Sequence, residues 1–169
     1  QVLQALHRFP LEGRQIDLQF SYSQPYVNVV KEKIEPRQSS QSILQLGYQF
    51  PCQYGDKDYF ALIVFNAMFG EFAHSALFTT LREKEGLAYS ISSQFDIFTG
   101  LLEVYAGIEK SNRNQAMRGI SRELNYIKLG RFSSSLLNQT KKIIRMNALL
   151  SEDHALTLVE QRFNKVIFG

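Results

Sequence analysis

The sequence is poor in the residues that hold metals. Its one cysteine, Cys52, excludes an internal disulfide and a multi-cysteine zinc site, and its place behind Pro51 is typical of a loop thiol, not a nucleophile. The three histidines, His7, His74 and His154, are scattered, and neither an HxxEH nor an HExxH pattern occurs. Zinc requires three or four ligands with defined spacing. We therefore expect no metal site in this chain, and we expect His74 to cap a helix or face solvent.

Long hydrophobic runs and blocks of positive charge are also missing. The longest apolar run, Tyr59–Phe69, is interrupted by Asn66 and is much shorter than the ~20 residues of a membrane helix. The sequence carries no signal peptide and no lipidation motif. Its 19 basic residues are interspersed with 16 acidic ones, so the basic residues of 113–131 and 141–145 are typical of solvated helix faces. We expect a cytoplasmic protein without a membrane or nucleic-acid partner.

What remains is the composition of a folded domain. With 44% hydrophobic and 21% charged residues among 169, the chain can bury a core and is too apolar for disorder. We expect residues 1–25 to form a lead-in and linker, and residues 26–169 to form a single domain. Because the chain opens at Gln1 without a methionine and stops at Gly169 in an apolar segment, we expect it to be a piece of a longer polypeptide.

Alternation of apolar and polar residues predicts the strands. The clearest alternation places four side chains on one face, namely Leu44, Leu46, Tyr48 and Phe50. The turn Thr99-Gly100 separates two further alternating segments, which predicts a hairpin. The predicted strands are Tyr26–Ile34, Ser42–Phe50, Leu87–Ile97 and Leu101–Glu109.

Segments with a 3.6-residue period predict the helices. The first runs from a cap at Asp56 to about Met68 and is broken by Gly70. The second covers about His74–Lys84. Gly86, in a left-handed conformation, closes it.

The remaining helices follow the hairpin. One starts at Ser111 or Asn112 and ends at Gly130, and another follows it. Ser151 caps the last, with an apolar face of Leu156, Val159 and Phe163 pointing inward. Strands, two helices, a hairpin and then helices favour the α+β class, with an antiparallel sheet and helices packed on one face.

The most informative stretch is Leu81–Ser90, with the sequence LREKEGLAYS. It places Arg82 and Tyr89 on either side of a glycine turn, where a guanidinium and a phenol could hold an acyl oxygen or a peptide backbone. From residue types alone, plainer interpretations stay open. Arg82 would then belong to a solvated helix face with local ion pairs. Tyr89, in phase with Leu87 and Ile91, would be a core aromatic unless a bulge at the strand entrance turns it outward.

The segment Gly70–Ser90 resembles the non-metal half of the pitrilysin family of zinc metallopeptidases. The matching residues are Ser75, Leu77-Phe78, Leu81-Arg82-Glu83 and Gly86-Leu87-Ala88-Tyr89. The similarity covers about Gln41–Phe163 and implies an α+β domain that faces a related domain carrying an HxxEH zinc helix. In that arrangement an arginine and a tyrosine seven residues apart close the active site, and Arg82 and Tyr89 match them in type and spacing.

The resemblance implies a division of labour between two halves. Zinc in the partner domain or subunit would activate water, Tyr89 would donate a hydrogen bond to the oxyanion, and Arg82 would position the peptide substrate. This chain would hold no cofactor and cleave nothing alone, acting as half of a bacterial, dimeric metalloendopeptidase. Glu71-Phe72 and Ala76 depart from the family's pattern and affect the nearby loop. The alternative is a catalytically silent structural or binding subunit of the same fold.

Overall fold

A three-stranded antiparallel sheet forms the centre of the computed structural model, which describes residues 27–52, 55–97, 99–151 and 155–168. The strands are β1 (Ser42–Gln49), β2 (Ala88–Asp96) and β3 (Leu101–Ile108), arranged in the order β1-β3-β2. β2 and β3 form the predicted hairpin, and Gly100 closes its turn at a φ of +64°. The predicted lead-in over residues 1–25 lies outside the described residues.

The helices follow the predicted order along the chain. Their bounds are α1 (Tyr59–Asn66), a π-helical turn (Ala67–Glu71), a second π-helical segment called α2 (Phe78–Lys84), a short 3-10 turn (Lys110–Asn112), α3 (Arg113–Lys128), α4 (Ser134–Ser151) and α5 (Ala155–Phe168). The two π-helical segments precede β2 and pack against it. Such wide turns are rare and are often found at functional sites.

One face of the sheet is buried beneath the helices. Every second residue of β3 is sealed from solvent, namely Leu102, Val104, Ala106 and Ile108. They share one core with residues of the π-helical turn, of α2 with the residue before it, and of α3, including Phe69, Leu77, Leu81, Ala116 and Ile120. The opposite face carries polar side chains, among them Gln45, whose amide donates to the Tyr105 hydroxyl at 3.0 Å. The α+β class, an antiparallel sheet with helices on one face, is confirmed.

The predicted strand Tyr26–Ile34 is wrong over the residues the structure describes. Residues 27–34 form no strand, and their valines face solvent, with Val30 94% exposed. β propensity reflects packing on a pleated surface, and a strand needs a neighbour for its backbone hydrogen bonds. Residues 27–34 pair with no described strand, so their valine-rich sequence is not enough to form one.

Two details of the first helix also differ from prediction. The helix begins at Tyr59, after Asp58, and the Asp56 backbone carbonyl accepts the Tyr59 N–H at 3.0 Å. Gly70 does not break the helix but lies buried inside the π-helical turn. A Cβ at Gly70 would lie 2.6 Å from Ser93 Oγ, so a glycine is needed there because the turn approaches β2 closely.

The inward-facing surface predicted for the last helix is wrong within the described residues. Leu156, Val159 and Phe163 of α5 are 62%, 63% and 59% exposed. Ser151 is the last residue of α4, and its hydroxyl donates to the Ala148 carbonyl at 2.6 Å. An amphipathic period predicts which side chains share a face, but burial of that face requires a packed neighbour.

Candidate substrate-positioning site

Arg82 lies on the exposed side of α2, near its C-terminal end. Its guanidinium carbon stands 4.5 Å from the centre of the Phe78 ring, a cation–π contact within one helical turn. Among the described residues, no acidic side chain forms an ion pair with Arg82. The plainer expectation of local ion pairs within the Arg-Glu-Lys-Glu cluster therefore does not hold for this arginine, which is exposed.

The turn between α2 and β2 has a defined shape. The Glu85 N–H donates to the Thr80 carbonyl at 2.9 Å, and the Leu87 N–H donates to the Leu81 carbonyl at 2.8 Å. Gly86 adopts the predicted left-handed conformation, with a φ of +62°. These bonds close the end of the helix and direct the chain into the sheet.

A β-bulge at the entrance of β2 decides the orientation of Tyr89. Ala88 pairs with Ile108 and Ser90 pairs with Gly107, so Tyr89 is the extra residue without a partner in the ladder. Tyr89 is 57% exposed, whereas Ala88 before it and Ile91 two residues after it are buried. Of the two interpretations left open by the sequence, the bulge is the correct one, and Tyr89 is not a core residue.

Arg82 and Tyr89 therefore stand on two packed elements joined by one turn, and both side chains reach solvent. No hydrogen bond joins them directly. A guanidinium provides a rigid set of N–H donors, and a phenol provides one O–H donor. Both groups suit an acyl oxygen, which accepts hydrogen bonds, and neither is a nucleophile or a metal ligand in this setting.

The turn is held from outside by Arg122 of α3, a residue to which the sequence assigned no functional role. Arg122 Nη2 donates to Glu85 Oε1 at 2.6 Å, and Arg122 Nε donates to Glu123 Oε1 at 3.0 Å. The hydrogen bond to Glu123 and that to Glu85 raise the pKa of Arg122. Arg122 and Glu85 are thirty-seven residues apart, so no local spacing rule could have paired them.

An open cleft of about 420 Å³ lies beside this contact. Its lining comes from the turn and from α3, namely Glu85, Leu87, Gln115, Arg118, Gly119 and Arg122. The cleft and the Arg82–Tyr89 turn share the same backbone segment. The turn therefore has a solvent-filled space on its α3 side and is not buried in the core.

The loop preceding α2 is ordered by polar and aromatic contacts, although it departs from the family's pattern. Glu71 Oε2 accepts a hydrogen bond from Asn66 Nδ2 at 3.0 Å. The Phe72 ring stacks on His74, with ring centres 5.5 Å apart, and His74 Nε2 lies 2.9 Å from Thr140 Oγ1 of α4. Burial lowers the pKa of His74. His74 is thus half-buried and tied to α4, and the expectation that it caps a helix or faces solvent is wrong.

Side chains of the types that bind metals are dispersed over the described residues, and the one cysteine is buried. Within residues 27–52, 55–97, 99–151 and 155–168, no group of three or more His, Cys, Asp or Glu side chains could hold a metal ion. Burial, with the charges of Asp56 and Asp58 adding to it, raises the pKa of Cys52, which is opposite to the lowered pKa of a reactive thiol. His7 and His154 lie outside the described residues. None of the helices in that part of the chain is both long and apolar enough to cross a membrane.

Comparison with known proteins identifies the relatives of this chain. The family model described as the peptidase M16 inactive domain matches residues 9–144. Among curated proteins, the Bacillus subtilis (strain 168) protein named "Probable inactive metalloprotease YmfF" is 43% identical over 130 residues, which make up 77% of this chain and 30% of that protein. The B. subtilis protein named "Uncharacterized zinc protease YmxG" is 29% identical over 117 residues, which make up 68% of this chain and 28% of that protein.

A solved structure is also similar to this chain. A conserved protein from Enterococcus faecalis V583 superposes with a TM-score of 0.83 at 44% identity, covering 86% of this chain and 35% of that chain. This chain therefore spans about a third of the length of the relatives it matches.

Proposed function

The chain belongs to the peptidase M16 inactive-domain family, and on that premise we propose that it is the non-zinc half of a zinc metallopeptidase. In this proposal it cleaves nothing alone and contributes Arg82 and Tyr89 to a peptide-binding space shared with a zinc-bearing domain or subunit. The observation that carries the proposal is the bulge at Tyr89, which turns an aromatic residue out of a packed strand and towards solvent. Bulges of this kind re-aim side chains next to active sites.

Tyr89 is proposed to stabilise the oxygen of the scissile amide. Its hydroxyl is a single hydrogen-bond donor on β2, and two other residues of that strand, Ala88 and Ile91, are buried in the core. A donor placed in advance, where negative charge develops, stabilises the transition state more than the bound substrate. Loss of one such donor lowers turnover by about a hundredfold.

Arg82 is proposed to hold the substrate backbone. Its guanidinium rests on the Phe78 ring and has no acidic partner among the described residues, so peptide carbonyls can bind it without first displacing a carboxylate. The planar fork of donors binds two acceptors at once. A lysine ammonium keeps the charge but cannot reproduce this geometry.

The zinc-bearing half would supply the metal chemistry of hydrolysis, because the described residues of this chain provide no metal site. The fact that the chain spans about a third of the length of its relatives is consistent with such a division. The name of one relative, a zinc protease, supports activity in the wider family.

The test uses the full parent protein together with its zinc-bearing partner, with hydrolysis of a fluorogenic peptide as the readout, with and without a chelator. We expect Tyr89→Phe to lower kcat by about a hundredfold and Arg82→Lys to lower kcat/KM. The matched controls are Tyr126→Phe, an exposed tyrosine of α3, and Arg145→Lys, an exposed arginine of α4, and both should retain activity. Full activity in both Tyr89→Phe and Arg82→Lys would reduce the relationship to a shared fold.

A second candidate is a catalytically silent structural or peptide-binding subunit. The name of the 43% identical relative, a probable inactive metalloprotease, favours it. Under this alternative, the assembled wild-type protein would show no chelator-sensitive hydrolysis of any peptide in a broad library. Chelator-sensitive cleavage that depends on Tyr89 would exclude it.

A further inference from the structure

Glu85 occupies a special position in the proposed site. It lies in the turn between Arg82 and Tyr89, and it is the residue of that turn that an ion pair connects to another element. Its carboxylate accepts from Arg122 Nη2 at 2.6 Å, while Arg122 Nε donates to Glu123 Oε1 at 3.0 Å. We call this three-residue contact, Glu85–Arg122–Glu123, the arginine bridge.

The arginine bridge is anchored at its α3 end. The Glu123 side chain is 11% exposed, whereas the side chains of Arg122 and Glu85 are 39% and 33% exposed. A buried carboxylate that binds Nε holds the guanidinium plane in one orientation, because the fork is rigid. The same guanidinium then presents Nη2 to Glu85. The bridge therefore differs from a solvated surface ion pair, in which both partners move.

A second contact joins the same two elements close to Arg82. Gly119 of α3 faces Leu81, and a Cβ at position 119 would lie 3.3 Å from the Leu81 side chain. Leu81, which precedes Arg82, is fully buried. α3 thus holds the end of α2 at Leu81 by packing and at Glu85 by the arginine bridge, on either side of Arg82.

We propose that Arg122, oriented by Glu123, is a positioning residue that fixes the turn carrying Arg82 and Tyr89 through Glu85. The inference rests on the proposed function of that pair. The backbone bonds from Glu85 to Thr80 and from Leu87 to Leu81 set the internal shape of the turn. The arginine bridge sets its position against α3, and so the direction in which both side chains point.

This role predicts a particular kinetic signature. A donor displaced by about 1 Å can cost on the order of a hundredfold in rate, so a turn that is loosened but still folded should lose about tenfold. The loss should fall on kcat more than on KM, because an oxyanion donor acts mainly in the transition state. It should also depend on the presence of the Tyr89 hydroxyl.

The experiment measures kcat and KM of the assembled peptidase for Glu85→Gln, Arg122→Gln and the double variant. We expect Glu85→Gln and Arg122→Gln each to lose about tenfold in kcat, and the double variant to lose no more than Arg122→Gln alone, because both changes remove the same charge-assisted contact between Glu85 and Arg122. The matched control is Arg118→Gln, which removes the same charge from the same cleft wall; Arg118 has no ion pair among the described residues and should be unaffected.

Measuring the effect of Glu85→Gln in the Tyr89→Phe variant distinguishes a general loss of structure from a loss of positioning. If the arginine bridge acts through Tyr89, Glu85→Gln should lower kcat much less in Tyr89→Phe than in wild type. An equal loss in both backgrounds would overturn the positioning role. Full activity of Glu85→Gln and Arg122→Gln, measured when Tyr89→Phe is impaired, would also overturn the positioning role. That result would leave the proposed function intact. If Tyr89→Phe and Arg82→Lys are both fully active, the proposed function fails and the inference falls with it.

A readout that does not need activity is amide hydrogen exchange of the folded chain. The Leu87 N–H, which bonds to the Leu81 carbonyl at 2.8 Å, should exchange about tenfold faster in Glu85→Gln, whereas amides of β3 should be unchanged. Unchanged exchange at Leu87 would show that the turn does not depend on the arginine bridge and would overturn the proposal.

Discussion

The turn at Tyr89 and helix α5 both expose large apolar side chains, but for different reasons. Tyr89 is exposed because a bulge rotates it out of a strand in which Ala88 and Ile91 are buried, and α3 braces the turn before it. Val159 and Phe163 of α5 are exposed because little of the described structure packs on that helix. Exposure imposed by the backbone and braced by neighbours indicates a positioned group, whereas exposure from a missing neighbour indicates only an uncovered face.

The largest expected effect contrasts the two regions by the same kind of truncation. Leu81→Ala, beside Arg82 and fully buried against Gly119, should lower the free energy of unfolding by about 2–5 kcal/mol, because a cavity remains. Val159→Ala on α5 should change it by less than about 0.5 kcal/mol, since the side chain is already in solvent. Urea unfolding of the chain measures both. Equal losses would show that α5 is packed as firmly as α2.

A smaller effect concerns the backbone of the turn. Gly86→Ala should cost about 1–2 kcal/mol, because a φ of +62° is strained for a residue with a Cβ. The matched control is Gly47→Ala in β1, where an added Cβ would have no atom within 4 Å. This variant should be more stable than wild type by about 0.5 kcal/mol. Thermal midpoints of the two variants should therefore move in opposite directions. A stable Gly86→Ala variant would mean that the turn adopts another shape.

The two tyrosines of β1 and β2 give a smaller contrast. Tyr48 is half-buried; burial raises its pKa, and a hydrogen bond to Ser121 acts in the opposite direction. Tyr48→Phe should cost about 1 kcal/mol because that bond is lost. Tyr89→Phe should change stability by less than about 0.5 kcal/mol, since Tyr89 is more than half exposed. A larger loss for Tyr89→Phe than for Tyr48→Phe would contradict the bulged orientation.

The smallest expected effect is a dependence of the free energy of unfolding on pH, through the half-buried His74. Because burial lowers the pKa of His74 below its usual 6.5, the unfolded chain binds this proton more tightly than the folded chain. Stability should therefore fall as the pH drops below about 6.5, while the contact between His74 and Thr140 weakens. Urea midpoints at about pH 7.5 and pH 5.5 should differ more in wild type than in His74→Gln. Identical pH slopes would show that His74 titrates as a solvent-exposed group.

Much of the local structure followed from the sequence. The period-2 alternation correctly located β1 and the hairpin, and Gly86 and Gly100 adopt the positive φ angles their turns require. The helical period of α3 places Ile120 and Leu124 on one buried face. These features depend on short-range geometry, because the two periods and the turn conformations are properties of neighbouring residues.

Only the tertiary structure decided the orientation of Tyr89, the contact that braces its turn, and the exposure of the apolar residues in segment 27–34 and in α5. The bulge is defined by pairing with β3, Glu85 meets Arg122 across thirty-seven residues, and the valines of residues 27–34 find no described strand to pair with. By itself, the sequence determined which residues could form each element and that an arginine and a tyrosine flank one turn. Where a side chain points depends on partners distant along the chain, and no local period encodes them.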